Sequence, residues 1–215
     1  MPRNYEEKIG IIDKKKIIIV EGNDEKYFMI QLLLNKRISD IQIIDSGGIE
    51  ELAICIDALK GIEGFDGVTS ILILRDSEDS AQSEIDSVNY RLIEAGLIKK
   101  NIEPFTISNQ NGYNIGFGLF PGKDEDGKLY DSGTLEHLCL RLFKEKSNNE
   151  LIKSYTMDFQ AKNKAFSHPH KNELHAIFSF TDNYVGLKIG DIAKKGGFDF
   201  DSLYLKPFLK MINKM

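Results

Sequence analysis

The stretches KIIIVEGNDE at residues 16–25 and ILILRDSED at residues 71–79 decide the fold. Each is an apolar run, typical of a buried parallel strand, that ends abruptly in carboxylates. In open α/β sheets, ligands bind just outside the carboxyl ends of the strands. Two strands that end in this way predict one acidic pocket, and a hard divalent cation such as Mg²⁺ is its natural partner because it prefers oxygen ligands.

Segments with strand character alternate with segments of helical spacing along the first part of the chain. The strand candidates are residues 16–20, 41–45, 69–75, 102–107 and 114–120, and the helix candidates between them are residues 24–36, 49–60 and 80–95. This alternation predicts the α/β class, with a mainly parallel, Rossmann-like sheet that is flanked by helices and joined by right-handed crossovers.

The pattern changes after Pro121, where a polar, glycine-rich loop leads into segments with helical spacing. The helix candidates here are residues 134–145, 149–164, 173–181 and 202–213. We therefore expect an α/β core over residues 1–140 and a helical C-terminal subdomain over residues 141–215 that packs on this core.

Composition limits the classes of function. The chain has 215 residues and a net charge of −5, which argues against a generic DNA-coating protein. Residues 1–140 hold 15 basic and 25 acidic side chains, whereas residues 141–215 hold 13 and 8, a distribution that would suit a polyanionic substrate. No apolar run is long enough to cross a bilayer. Cys55 and Cys139 have no zinc spacing and no disulfide pattern, which predicts free thiols in a reducing cytoplasm.

Three short motifs occur in a recognisable order. Glu21 and Gly22 follow the first strand, Ser46-Gly47-Gly48 follows the second, and Asp76 and Glu78 follow the third. This set resembles the Toprim family, the metal-binding domain of topoisomerases, bacterial primases and OLD-type nucleases. The Toprim pattern ends in Asp-x-Asp, so Glu78 stands where an aspartate is usual.

Two further segments resemble one branch of that family. Gly133-Thr134-Leu135-Glu136 matches a segment of OLD-like Toprim proteins and of small stand-alone Toprim-related proteins of unknown function. GDIAKKGGFDFDSLYLKPFLK at residues 190–210 resembles the tail of those stand-alone proteins. Full OLD nucleases carry an ATPase domain, whereas no GxxxxGK[ST] motif is present here.

The resemblance assigns roles to particular residues. It implies Mg²⁺ or Mn²⁺ as the cofactor. Together with the spacing of the acids, it predicts that the metal ligands are Asp76, Glu78, Glu21 and Glu136, with Asp79 as an alternative, and that the catalytic residues are Glu21 and Lys171. It also predicts that the backbone contacts phosphate at Gly22, Gly47 and Gly48. The implied activity is that of a metal-dependent nuclease acting on DNA or RNA.

Other interpretations stay open at this point. The chain could be a non-catalytic nucleic-acid or nucleotide-binding accessory module in phage defence or DNA repair, with or without a partner ATPase, and as a monomer or a homo-oligomer. Asp76 could instead be the phosphorylated nucleophile of a haloacid-dehalogenase-like phosphatase, which would leave Glu21 unexplained.

Local alternatives also compete with the predicted site. Asp76 and Asp79 could cap the helix that begins near Ser80, and Glu136 could act as a first-turn acid that stabilises its own helix. His168, His170 and His175 form a second candidate for metal binding, although neither a cysteine nor an acid accompanies them at a zinc spacing.

Overall fold

The computed structural model describes residues 9–48, 50–144, 149–162 and 169–215. The strands are β1 (Lys16–Val20), β2 (Ile41–Asp45), β3 (Ser70–Asp76), β4 (Ile107–Gln110) and β5 (Tyr113–Phe120). The helices are α1 (Asn23–Asn35), α2 (Leu52–Lys60), α3 (Ala81–Glu94), α4 (Leu135–Leu142), α5 (Asn149–Lys162), α6 (Pro169–Ser179), α7 (Ile189–Lys194) and α8 (Lys206–Ile212). Single 3₁₀ turns occur at Phe65–Gly67 and Leu203–Leu205.

The five strands form one sheet in the order β2-β1-β3-β5-β4. β1 pairs in parallel with both β2 and β3, and β3 pairs in parallel with β5, so the carboxyl ends of these four strands share one edge. Only β4 is antiparallel to its neighbour. The predicted α/β class, with a mainly parallel sheet flanked by helices, is confirmed.

The predicted strand at residues 102–107 is wrong, because β4 begins only at Ile107. Pro104 has no N–H to give to a sheet, and Phe105 has a φ of +61°, which strand geometry does not allow. The apolar residues before β4 therefore form a connection, and the strand itself is short and partly exposed.

Both faces of the sheet are buried, which explains the continuous apolar runs of β1 and β3. Ile17, Ile19, Ile71 and Ile73 face a cluster that includes residues of α2 and α3. Ile18, Val20, Leu72 and Leu74 face the other cluster, which they share with residues of α1 and of the C-terminal helices.

The C-terminal helices pack directly on α1. The rings of Phe28 and Phe198 lie 5.8 Å apart between their centroids. A Cβ atom at Gly190 of α7 would lie 2.4 Å from the Cβ atom of Tyr27, so this contact needs a glycine. The sequence patterns had predicted no helix at α7. Within the described ranges, every helix is too short or too polar to pass through a bilayer.

Candidate metal centre

Three carboxylates meet at the carboxyl edge of the sheet. Glu21 directly follows β1, Asp76 is the last residue of β3, and Glu78 comes two residues later. One ligand atom from each lies within 4.8 Å of the other two. Among the residues that the structure describes, these three, hereafter the acid cluster, form the one group of three or more potential metal-binding side chains.

Glu78 reaches the acid cluster from a turn, not from the strand. Its φ is +47°, so the alternation of side chains along β3 does not place it beside Asp76. The turn is held by backbone hydrogen bonds: Ser77 N–H donates to Phe120 O (3.0 Å) and to Gly133 O (2.8 Å), and Gly133 N–H donates to Glu78 O (2.8 Å). Glu78 itself is exposed, which leaves the cluster open to solvent.

The helix after this turn does not use the acids as caps. Ser80 is the N-cap of α3, and its side-chain oxygen accepts from the Ser83 amide at 3.3 Å. The alternative in which Asp76 or Asp79 caps this helix is therefore wrong. Asp79 is exposed and lies outside the acid cluster.

Asp76 is tied to the start of α4. Its Oδ1 atom accepts from the Leu135 amide at 2.8 Å, so a buried carboxylate satisfies one of the free N–H groups at a helix N-terminus. Gly133 permits this approach, since its φ is +130° and a Cβ atom there would lie 2.8 Å from Pro121 Cδ. The Gly-Thr-Leu-Glu segment thus places Glu136, which is 8% exposed, near enough to Asp76 for its charge to raise the pKa of Asp76, although Glu136 is not one of the three residues of the acid cluster.

Glu136 is paired with the lysine that the resemblance singled out. Lys171 Nζ lies 3.3 Å from Glu136 Oε1. Burial acts to raise the pKa of Glu136, but hydrogen bonds from Thr134 and from the backbone, together with Lys171, outweigh it and hold this pKa below its usual value. Glu136 also occupies the first turn of α4, so its structural and functional interpretations are both compatible with its position.

Sequence reasoning missed Glu25. Its Oε2 atom would lie only 3.2 Å from a Cβ atom at Gly22, the N-cap of α1, so the side chain turns back toward the helix start. Burial raises the pKa of Glu25 to about 7, and the neighbouring carboxylates Glu21 and Asp24 contribute. The available signal was its position three residues after the N-cap, where a glutamate typically folds back over the first turn.

Asp76 is a buried carboxylate with other carboxylates around it. Burial raises the pKa of Asp76 well above its usual range, and the negative charges of Glu25 and Glu136 add to the effect. The amide of Leu135 acts in the opposite direction but does not compensate. Negative charge is therefore costly here unless a cation is bound.

A buried arginine lies on the other side of β3 from Asp76. Arg75 is 3% exposed, and its Nη2 atom lies 2.9 Å from Glu21 Oε2 while its Nε atom lies 3.7 Å from Glu84 Oε2. A carboxylate has several lone pairs on two oxygens, so this pairing leaves Glu21 able to bind a further cation. Arg75 is directly adjacent to Asp76 in sequence, which was the signal for its place in the site.

The three glycines predicted to contact phosphate differ from one another in backbone conformation and contacts. The Gly47 amide donates to Glu21 O at 2.8 Å, so it fastens the end of β2 to the end of β1. Gly47 and Gly48 have φ values of +82° and +127°, which favour glycine. Gly22 has an extended backbone and begins α1.

The histidine candidate does not join this site. His168 lies outside the described residues. The rings of His137 and His170 lie 4.3 Å apart, and burial, followed by the neighbouring His170 and Arg141, lowers the pKa of His137 to about 4. His175 packs edge-on against Phe178. Within the described ranges, no group of three potential ligands includes a histidine.

The acid cluster could bind a metal ion. Its donors are all carboxylate oxygens, which suit hard divalent cations. Oxygens bound to one Mg²⁺ at about 2.1 Å lie at most about 4.2 Å apart, so a spread of up to 4.8 Å requires a small closing movement or a bridging water. The exposed Glu78 side chain can supply that movement.

Comparison with known proteins gave a family and several distant structures. Two solved structures are 14% identical to this chain: a hypothetical protein from Pyrococcus horikoshii OT3 (TM-score 0.48, covering 94% of this chain and 95% of that one) and the C-terminal region of the OLD protein of Xanthomonas campestris pv. campestris (TM-score 0.47, 95% and 97%). A search of the curated proteins found no match. A family model with the description "Protein of unknown function (DUF3226)" matches residues 15–215, and the chain therefore belongs to this family.

Proposed function

We propose that this protein is a Toprim-like nuclease that uses Mg²⁺ or Mn²⁺ to hydrolyse phosphodiester bonds in nucleic acid. The observation that carries the proposal is the approach of Glu21, Asp76 and Glu78 to within 4.8 Å at the carboxyl edge of the sheet. The order of the acidic and glycine motifs, which resembles the Toprim pattern, supports the same conclusion.

The residues would divide the work as follows. Asp76 and Glu78, with Glu136 nearby, would hold the metal, which polarises a phosphoryl oxygen and lowers the pKa of a bound water. Glu21 would accept the proton of the attacking water, and Arg75 would hold its carboxylate in place. Lys171 would move from Glu136 toward the negative charge that develops on the phosphate.

Calorimetry with Mn²⁺ and a cleavage assay with labelled DNA and RNA oligonucleotides test this proposal. Asp76→Asn keeps the size of the side chain but removes its charge, and we expect it to weaken Mn²⁺ binding at least 100-fold and to abolish cleavage. Asp66→Asn is the matched control: it removes one exposed carboxylate that precedes β3, at the opposite end of the strand from Asp76, and should change both by less than about twofold.

Three results would be informative. A wild-type protein that binds neither Mn²⁺ nor Mg²⁺ would overturn the proposal. Metal and nucleic-acid binding without cleavage of any substrate would favour the non-catalytic accessory module. The phosphatase interpretation gives no role to Glu21 or Glu78, and a beryllium fluoride adduct on Asp76 would revive it.

A further inference from the structure

A second charged site lies near the carboxyl end of β5, the strand next to β3. A pocket of about 370 Å³ opens where β5 ends and α8 begins. Its lining includes four lysines and two aromatic side chains, hereafter the lysine pocket: Lys123, Lys206, Lys210, Lys214, Phe105 and Tyr204.

The lysine pocket keeps a net positive charge. Among the described residues, none of the four ammonium groups lies within 4.0 Å of a carboxylate oxygen. The lining also holds two acids, and their partners are neutral donors: Asp124 Oδ1 accepts from the Lys128 amide at 2.8 Å, and Glu125 Oε1 accepts from Tyr204 Oη at 3.1 Å. Four lysines and two acids leave the lining with a net charge of +2. In a chain with a net charge of −5, such a concentration of free ammonium groups favours an anionic ligand.

The lysine pocket is close to the acid cluster. Asp76 lies beside Phe120 in the β3–β5 register, which places their Cα atoms about 5 Å apart. Lys123 follows Phe120 by three residues, which span at most about 10 Å. The Phe120 ring stacks on Phe208 of α8 at 5.1 Å between centroids, so the helix that carries Lys206 and Lys210 packs against the end of β5.

The separation suits a strand of nucleic acid. The Cα atoms of Asp76 and Lys123 lie at most about 15 Å apart, which corresponds to about four steps of 3.4 Å along the axis of a helical nucleic acid. A strand whose scissile bond lies at the acid cluster would therefore reach the lysines within a few nucleotides.

We propose that the lysine pocket binds the sugar–phosphate backbone of the nucleic-acid strand that the acid cluster cleaves. The inference rests on the proposed function and names the surface that holds its substrate. Lys206, Lys210 and Lys214 contact phosphates, and the rings of Phe105 and Tyr204 form an apolar wall beside them.

The test measures fluorescence anisotropy of a labelled 12-nucleotide oligothymidylate in EDTA, where cleavage is off. The variant Lys206→Glu/Lys210→Glu changes two exposed lysines on α8. We expect it to bind at least about tenfold more weakly at 50 mM salt and to reduce the slope of log K against log salt by about 1.4, the value for two lost contacts on a single strand.

The matched control is Lys99→Glu/Lys100→Glu. These two lysines are also exposed, and their amides donate to Gln110 Oε1 at the opposite edge of the sheet. The charge change is the same in both variants, so the control corrects for the overall field of the protein. Its affinity should stay within about twofold of wild type.

Equal losses in the two double variants, or no measurable binding by the wild-type protein, would overturn the inference. Displacement of the oligonucleotide by thymidine monophosphate at the same phosphate concentration would also overturn it, because the pocket would then be a mononucleotide site. Mn²⁺ calorimetry on Lys206→Glu/Lys210→Glu separates the two proposals, since metal binding should be unchanged there even if strand binding is lost.

Discussion

The acid cluster and the lysine pocket lie on the same edge of the sheet, but their charged groups differ in burial and in partners. Asp76 and Arg75 are both less than 10% exposed, and each is held by neighbours. Lys206, Lys210 and Lys214 are exposed. Buried charges affect folding because they lose water, whereas exposed charges remain available to a ligand at little cost in stability.

The largest expected effect concerns Arg75. Arg75→Gln would leave Glu21 and Glu84 without their buried cation, and we expect the free energy of unfolding to fall by about 3 kcal/mol. Urea denaturation measures this change. Arg91→Gln is the control, because Arg91 also contacts two glutamates but at the surface, where the loss should be below about 1 kcal/mol. Equal losses would show that the acid cluster does not depend on its buried arginine.

The next effect is a pH dependence caused by Glu25, a neighbour of the acid cluster. The pKa of Glu25 is about 7 in the folded protein against its usual 4.5, so folding favours the protonated form. This stabilisation is complete below about pH 4.5 and is lost as the pH rises through 7. We expect the metal-free wild-type protein to lose about 2 kcal/mol relative to Glu25→Gln between pH 5 and pH 8, less than the full pKa difference would give because the carboxyl is partly exposed. The lowered pKa of His137 changes stability in the opposite direction over the same range, but it acts in both proteins.

Thermal melts in EDTA and in Mg²⁺ measure this pH dependence. Glu25→Gln should remove most of it, and Mg²⁺ should stabilise the wild-type protein more at pH 8 than at pH 5. Lys206→Gln/Lys210→Gln should keep the wild-type profile, since the lysine pocket holds neither Glu25 nor Asp76. A profile that stays unchanged in Glu25→Gln would contradict the assignment.

A smaller effect is expected at Lys171. Its side chain is 47% exposed, which resembles the lysines of the lysine pocket, but it is paired with a carboxylate, Glu136, as Arg75 is paired with Glu21. Lys171→Gln removes a positive charge near the acid cluster, so Mn²⁺ affinity should rise by about threefold at low salt. Calorimetry at low and high salt checks this. A fall in affinity would mean that Lys171 organises the metal ligands instead of competing with the ion.

The smallest effect is within the lysine pocket. Lys206 and Lys210 lie four residues apart on α8, where like charges repel by about 0.3 kcal/mol. Lys206→Gln should therefore stabilise the protein slightly at low salt and have no effect at 1 M salt. Thermal melts at the two salt concentrations measure the difference. Destabilisation at low salt would reveal a partner for Lys206 and would weaken the contrast between the two regions.

Much of the fold followed from local pattern. β1 and β2 have the predicted bounds, and the apolar run of β3 is shifted by one residue. Such strands are easy to identify because a sheet buried on both faces needs continuous apolar segments. β4 was misplaced because Pro104 and Phe105 are apolar without being compatible with a strand. α7 was missed because it is only six residues long and depends on packing against Tyr27.

The sequence predicted which acids would meet at the candidate site, but not the backbone geometry that brings them together. Glu21 and Asp76 were expected to meet because both end parallel strands, and they do. Glu78 was expected to join them because of its spacing two residues after Asp76, whereas a turn with positive φ brings it there. Glu25 was missed because the spacing of hydrophobic residues does not show that its side chain turns back toward Gly22.

The amino-acid sequence alone determined that two buried strands end in acid, because apolar runs and their polar ends are local features of the chain. Only the tertiary structure decided which charged groups pair. Arg75 pairs with Glu21 and Lys171 pairs with Glu136, whereas the lysines of α8 pair with no carboxylate among the described residues. Pairing between charges depends on distance and burial, and both are set by segments far apart in sequence that pack against one sheet.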